Sequence, residues 1–186
     1  VKVKGTGAVK VIVYLPSIIT AASVSVLFKA LFSQYGPITK TLKDWGVIAS
    51  NFDFMSSVAG SRGLISGILW WMWFGNTTLL LISGVLGIDP GLFEAADIDG
   101  ATTFQKIRYI TIPAIRSVST TVFLLLIIWT IKDYAIAYVL TKGGPSRATE
   151  LLTIYIQQTG FKYFDFGKAS AAGMLMLLVA LAFTFF

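Results

Sequence analysis

Residues 63–88 read Gly63-Leu64-Ile65-Ser66-Gly67-Ile68-Leu69-Trp70-Trp71-Met72-Trp73-Phe74-Gly75-Asn76-Thr77-Thr78-Leu79-Leu80-Leu81-Ile82-Ser83-Gly84-Val85-Leu86-Gly87-Ile88, without a single charge. As a helix this run reaches ~39 Å, more than the ~30 Å hydrocarbon core of a bilayer. Residues 11–28 are also uncharged and span ~27 Å, a bare crossing. Residues 117–141 form a third apolar stretch, interrupted by Lys132-Asp133, and residues 169–186 a fourth. Only 13% of the chain is charged and 55% is hydrophobic, whereas soluble domains carry about 25% charge. The expected fold is an all-α membrane protein, a helical bundle of about four transmembrane helices at 10–32, 63–88, 114–141 and 167–186. Residues 1–186 read as one domain, and an incomplete one. The first residue is Val, no cleavable signal precedes the first span, and the last apolar run is still open at residue 186.

The missing residue types exclude several functions. With no Cys and no His, thiolate ligands, the usual zinc sites and His-based triads are ruled out. No metal and no cofactor is expected, and no catalytic group. The formal charge of +6 contains no basic run, so it reads as charge beside membrane spans rather than a nucleic-acid surface. Lys2, Lys4, Lys10, Lys106, Arg108 and Arg116 fall on one side. Lys40, Lys43, Arg62, Lys142, Arg147, Lys162 and Lys168 fall on the other. The two sets nearly balance, and charge alone does not orient the chain.

Local signals organise the rest. Ser17, Ala21 and Ser25 recur at helical spacing in the first span, a small-residue stripe suited to close helix packing against a helix not evident in this sequence. Pro16 is expected to bend that span. Between spans, Gly36-Pro37 marks a turn, and Ile38, Leu42 and Trp45 alternate with Thr39, Lys40, Lys43 and Asp44 as in a short surface-lying amphipathic helix. Gly63 and Gly67 open the second span. Its tryptophans, Trp70, Trp71 and Trp73, read either as lipid-facing bulk, as helix packing, or as a stacking surface for a sugar ring.

The charged connection at 89–113 is the most specific part. Asp89 is a good N-cap and Pro90 suits the first helical turn. A short helix through Glu94-Ala95-Ala96-Asp97 should stop at Gly100, which tolerates left-handed geometry. A second helix should restart at Thr102, with Gln105 completing a capping box. Pro113 cannot donate to the Tyr109 carbonyl and should kink the entry to the third span.

Glu94-Ala95-Ala96, Gly100, Ile110 and Ile112-Pro113 stand at the spacing of the "EAA" loop. The chain therefore resembles the inner-membrane permeases of binding-protein-dependent ABC importers. Ile98-Asp99-Gly100-Ala101 and Leu140-Thr141-x-Gly143-Gly144-Pro145-x-x-x-Thr149 are similar to the maltose and multiple-sugar type, as are Gly160-Phe161 and Gly167-x-Ala169-Ser170. Asp89-Pro90 departs from the family's usual order, Ile112 replaces the usual Leu, and Thr39 stands where Asn is frequent. The resemblance covers the chain from about residue 10 onward.

That resemblance implies a multi-pass protein of a bacterial or archaeal inner membrane, forming half of the translocation path for a sugar or oligosaccharide. It implies a cytoplasmic coupling helix in the 89–113 loop, with Glu94, Ala95, Ala96, Asp97, Asp99, Gly100, Ile110 and Pro113 as coupling residues. The implied partners are ATPase subunits, a second permease subunit and an extracytoplasmic solute-binding protein, besides membrane lipid. Such a subunit hydrolyses nothing itself.

Neutral hydrogen-bonding groups beside aromatic faces suit sugar hydroxyls and C–H faces. Asn76, Thr77, Trp129, Tyr134 and Ser170 are the expected path residues on that ground. The charged pair Lys132-Asp133 reads as cavity-lining or helix-pairing, or with Lys132 snorkelling to the surface. The alternatives are a permease for another solute, or a passive channel that works without an ATPase.

Overall fold

A computed structural model describes residues 6–185, and among them there is helix and no strand. Eleven helices follow one another: α1 (Thr6–Ile18), α2 (Ala21–Leu31), α3 (Pro37–Asp44), α4 (Val58–Leu86), α5 (Pro90–Ile98), α6 (Thr103–Lys106), α7 (Ile112–Ala114), α8 (Arg116–Ile131), α9 (Ala135–Thr141), α10 (Leu152–Gln157) and α11 (Phe166–Phe185). Five-residue π turns, Ile107–Thr111 and Gln158–Lys162, separate α6 from α7 and follow α10. By length and composition α4, the α8–α9 segment Arg116–Thr141, and α11 are each able to cross a membrane.

The segment expected as a first span bent at Pro16 is two helices meeting at 94°. Pro16 lies inside α1, and the break falls later, at Ile19–Thr20. Thr20 makes the restart favourable: its hydroxyl caps α2 by accepting from the Ser23 N–H at 3.3 Å. The bend also separates the small-residue stripe. Ser17 remains on α1, where its hydroxyl donates to the Met72 carbonyl of α4 at 2.6 Å. Ser25 is fully buried on α2. The packing partner expected to be missing is α4 of the same chain, which α1 crosses closely at Gly75. A Cβ there would lie 2.1 Å from the Val13 carbonyl oxygen.

α4 begins at Ser57, whose hydroxyl accepts from the Gly60 N–H. It runs for 29 residues, about 43 Å. Its buried positions, Ser61, Leu64, Ile65, Ile68, Met72 and Gly75, all lie in the first two thirds. Of these, Leu64, Ile65, Ile68 and Met72 join Val24 of α2, Ile136, Ala137 and Leu140 of α9, and Ile154 of α10 in one core. This core sits at the end of the bundle away from the 89–113 connection. In lipid such contacts hold through close packing and hydrogen bonds rather than through exclusion of water.

Polar caps fasten that packed end. The Lys29 ammonium donates to the Val139 carbonyl at 2.8 Å, satisfying an acceptor at the C-terminus of α9. Arg62 Nε donates to the Ala148 carbonyl at 2.8 Å, tying the start of α4 to the loop after α9. Inside that loop, buried Thr149 donates to the Gly144 carbonyl and meets the Thr141 hydroxyl, each at 2.6 Å. Thr149→Val keeps the shape and strands the Gly144 carbonyl, while Thr141 keeps its bond to the Ala137 carbonyl, so stability is expected to fall by about 1–3 kcal/mol. A thermal midpoint unchanged from the parent protein would show that the brace contributes nothing.

Candidate coupling loop and translocation path

The 89–113 connection is built by local rules. Asp89 Oδ1 accepts from the Gly91 N–H at 2.9 Å, with Pro90 as the first helical residue of α5. At the other end the Ala101 N–H reaches the Ala96 carbonyl at 2.9 Å, and the Gly100 N–H reaches the Asp97 carbonyl at 3.1 Å. These two bonds form a Schellman motif, which places Gly100 at φ +73°. The expected capping box is present: Thr102 Oγ1 accepts from the Gln105 N–H, and Gln105 Oε1 accepts from the Thr102 N–H at 2.7 Å. Pro113 sits in the short α7, immediately after the π turn Ile107–Thr111. The missing proline N–H leaves the Tyr109 carbonyl without its i+4 donor.

No residue of α5 is buried. Glu94, Ala95, Asp97, Asp99 and Gly100 are exposed, while Ala96 and Ile110 are half-buried. Ile98 is 88% exposed, and Phe104 and Tyr109 are each more than 70% exposed. Asp97 is not free: its carboxylate pairs with the Lys106 ammonium, joining α5 to α6 across the turn. Glu94 and Asp99 make no ion pair among the described residues. The bend closes a shallow groove of about 320 Å³ lined by Ala96, Asp99, Gly100, Lys106, Tyr109 and Ile110. The result is a braced knuckle with an apolar crest at Ile98 and an acidic flank.

The five expected path residues lie on α4, on α8, in the break between α8 and α9, and on α11. Asn76 and Thr77 are half-buried on α4. Trp129 of α8 stacks on Trp73 of α4, with ring centroids 4.7 Å apart. Tyr134 stacks on Tyr138 at 4.8 Å, and Ser170 is exposed on α11. None of the five lines the groove above or the cavities at the other end of the bundle. The tryptophans divide between roles: Trp73 packs helix on helix, Trp71 meets Phe28, and Trp70 is 66% exposed beside Phe74. Lys132 and Asp133 sit in the break between α8 and α9. Lys132 points outward, whereas Asp133 Oδ2 is buried without a hydrogen-bond partner. The Asp133 carbonyl accepts from the Thr153 hydroxyl at 2.5 Å.

Sequence reasoning passed over a cavity of about 590 Å³ at the far end, between the loop after α9 and the start of α11. Its basic residues Lys142, Arg147 and Lys168 read in the sequence as charge beside membrane spans. The only hint was their interleaving with Tyr155 and Tyr163. At its edge the Lys168 ammonium lies 2.7 Å from Asp165 and, by hydrogen bonding, holds that carboxyl below the usual carboxylate range.

Residues 6–186 match the pattern that defines the binding-protein-dependent transport system inner membrane component family. The chain belongs to that family. It is similar to the trehalose/maltose transport system permease protein MalF of Thermococcus litoralis, with 31% identity over 98% of this chain and 61% of that protein. The lactose transport system permease protein LacF of Rhizobium radiobacter is 26% identical over 99% of this chain and 63% of its own length. Among solved structures, a chain of a bacterial alginate ABC transporter, in complex with an alginate pentasaccharide-bound periplasmic protein, superposes with a TM-score of 0.84. That match has 25% identity and covers 98% of this chain and 64% of the other. This permease chain thus spans less than two thirds of the length of each of these relatives. The all-α permease fold and the inner-membrane location agree with the reading of the sequence.

Proposed function

We propose that the chain forms half of the translocation path of an ATP-driven importer for a sugar or oligosaccharide, and takes up the ATPase stroke through residues 89–113. The observation that carries this reading is the exposed, internally braced knuckle. Ile98, Glu94 and Ala95 are presented to an outside partner, while the Schellman turn and the Asp97–Lys106 pair keep α5 from yielding under load. Ala95 is small enough to enter a cleft, and Glu94 and Asp99 offer unpaired charge to basic groups beside it. Motion of α5 passes through α6, the π turn and α7 to α8, so a partner that closes tilts the core helices as near-rigid bodies. A solute-binding protein would deliver substrate at the opposite end. The names of the lactose, trehalose/maltose and alginate relatives support a saccharide as cargo.

Because residues 1–186 hold no cysteine, Ala95→Cys supplies an attachment point that no other residue of this stretch duplicates. A short bifunctional maleimide is expected to join it to an ATPase subunit of the assembled transporter, at a yield that changes with ATP. Phe161→Cys, at the far end, should give no such product. Absence of the Ala95 product in a transporter that still imports substrate would sink the coupling assignment.

A further inference from the structure

The cavity at the end opposite the coupling loop has the size and chemistry of a ligand site. At about 590 Å³ it falls within the range of small-molecule pockets. The Arg62–Ala148 bond fixes its place, because it sets the loop after α9 beside the start of α4, while the end of α4 leads into residues 89–113. Non-glycine residues with positive φ are Lys142 (53°), Ser146 (47°), Arg147 (61°) and Phe164 (56°). Lys142 and Arg147 line this cavity, Phe164 lies between its lining residues Tyr163 and Asp165, and Ser146 adjoins Arg147. Left-handed backbone is disfavoured for such residues and persists only where surrounding bonds impose it. Here the imposing bonds are those of Thr149 to Gly144 and Thr141, and of Gln158 Nε2 to the Lys142 carbonyl at 3.2 Å. The loop is held in an unfavourable shape, and that shape makes the cavity.

The lining groups indicate what it accepts. Arg147 pairs with Glu150 and Lys168 with Asp165, so four of the five charges neutralise one another. Lys142 is the cation left without a carboxylate partner among the described residues. Tyr155 and Tyr163 add aromatic surface, and Gln158 and Thr159 add neutral donors and acceptors. An inorganic ion would have no use for the tyrosines, and an acyl chain none for the paired charges. Pyranose rings use both, through hydroxyls and C–H faces.

We infer that this cavity is a reception subsite for a short acidic oligosaccharide, with a ring carboxylate at Lys142, occupied before the sugar enters the membrane path. The inference rests on the sugar-importer reading and deepens it.

Ser146→Cys, next to the lining residue Arg147, is nearly isosteric and would be the sole thiol within residues 1–186. Its labelling rate by a bulky maleimide can be followed in the assembled transporter, without the solute-binding protein, with trigalacturonate or maltotriose present. Uptake of both sugars by the intact transporter is measured in parallel. Trigalacturonate at ten times its Kd is expected to slow labelling by about tenfold. Maltotriose at the same concentration should slow it less, and Lys142→Gln should erase the difference. Labelling of Ala95→Cys, at the coupling end, should not respond. Equal protection by both sugars before the Lys142 change overturns the carboxylate assignment. Uptake of either trisaccharide without any protection overturns the subsite while the importer reading stands. Absence of both uptake and protection overturns the two together.

Discussion

Replacing Gly75 by leucine is expected to separate α1 from α4 and to lower the thermal midpoint of the purified transporter by about 10 °C, equivalent to about 3 kcal/mol for a chain of this size. A Cβ at this position would lie 2.1 Å from the Val13 carbonyl oxygen and 2.8 Å from the Tyr14 Cα. Both neighbours are backbone, so no side chain can rotate away, and the helices must part by more than an ångström. Parting them also lengthens the 2.6 Å bond from Ser17 to the Met72 carbonyl. The core around Met72 and Ile68 then loses the closure that α1 provides. Gly63→Ala is the matched control, because a Cβ there meets nothing within 4 Å. It should leave the midpoint unchanged or raise it slightly, since alanine is the better helix former. Equal midpoints for the two variants would mean that α1 does not pack on α4 at this crossing.

The same contrast between local and convergent features explains what the sequence revealed. The uncharged run 63–88 reveals a crossing through composition alone, because 26 residues without a charge exceed what a bilayer crossing needs. The 89–113 loop was legible because each of its devices acts within a few residues. Asp89 caps the next turn, Gly100 takes the left-handed position, and Thr102 and Gln105 cap each other. The break at Ile19–Thr20 was not legible in its position, because the stronger textual signal is Pro16. A proline inside a helix loosens it without choosing where the chain turns, and the Thr20 cap made that choice. The Asp97–Lys106 pair spans nine residues and depends on the Schellman turn between them, so spacing could not foretell it. The cavity lies furthest from sequence reach. Its walls come from residues 142 to 168 and take shape only once Arg62 of α4, Thr149 and Gln158 of the second π turn pin the loop.

On the proposed coupling role of residues 89–113, Gly100→Val is expected to uncouple the permease from an ATPase subunit while leaving insertion intact. Gly100 holds φ +73° with open space around its missing Cβ, so the cost of a side chain is conformational and not steric contact with neighbours. A β-branched residue in left-handed geometry costs roughly 1–2 kcal/mol. The turn relieves that cost by abandoning the bonds from Ala101 to Ala96 and from Gly100 to Asp97. Asp97 then loses its register with Lys106, and Ile98 no longer stands at the crest. A penalty of about 1.4 kcal/mol on docking lowers the engaged population about tenfold, and ATP-driven uptake should fall by a similar factor. Gly46 supplies an internal comparison: it has φ +70° and equally open surroundings, but lies in the connection between α3 and α4. Gly46→Val carries the same backbone strain with no coupling role, and should retain most of the uptake. The decisive readout is uptake relative to ATP hydrolysis in reconstituted transporter, normalised to the amount of inserted subunit. If both glycine variants lose uptake equally, strain alone explains the loss and residues 89–113 lose their claim to transmit force.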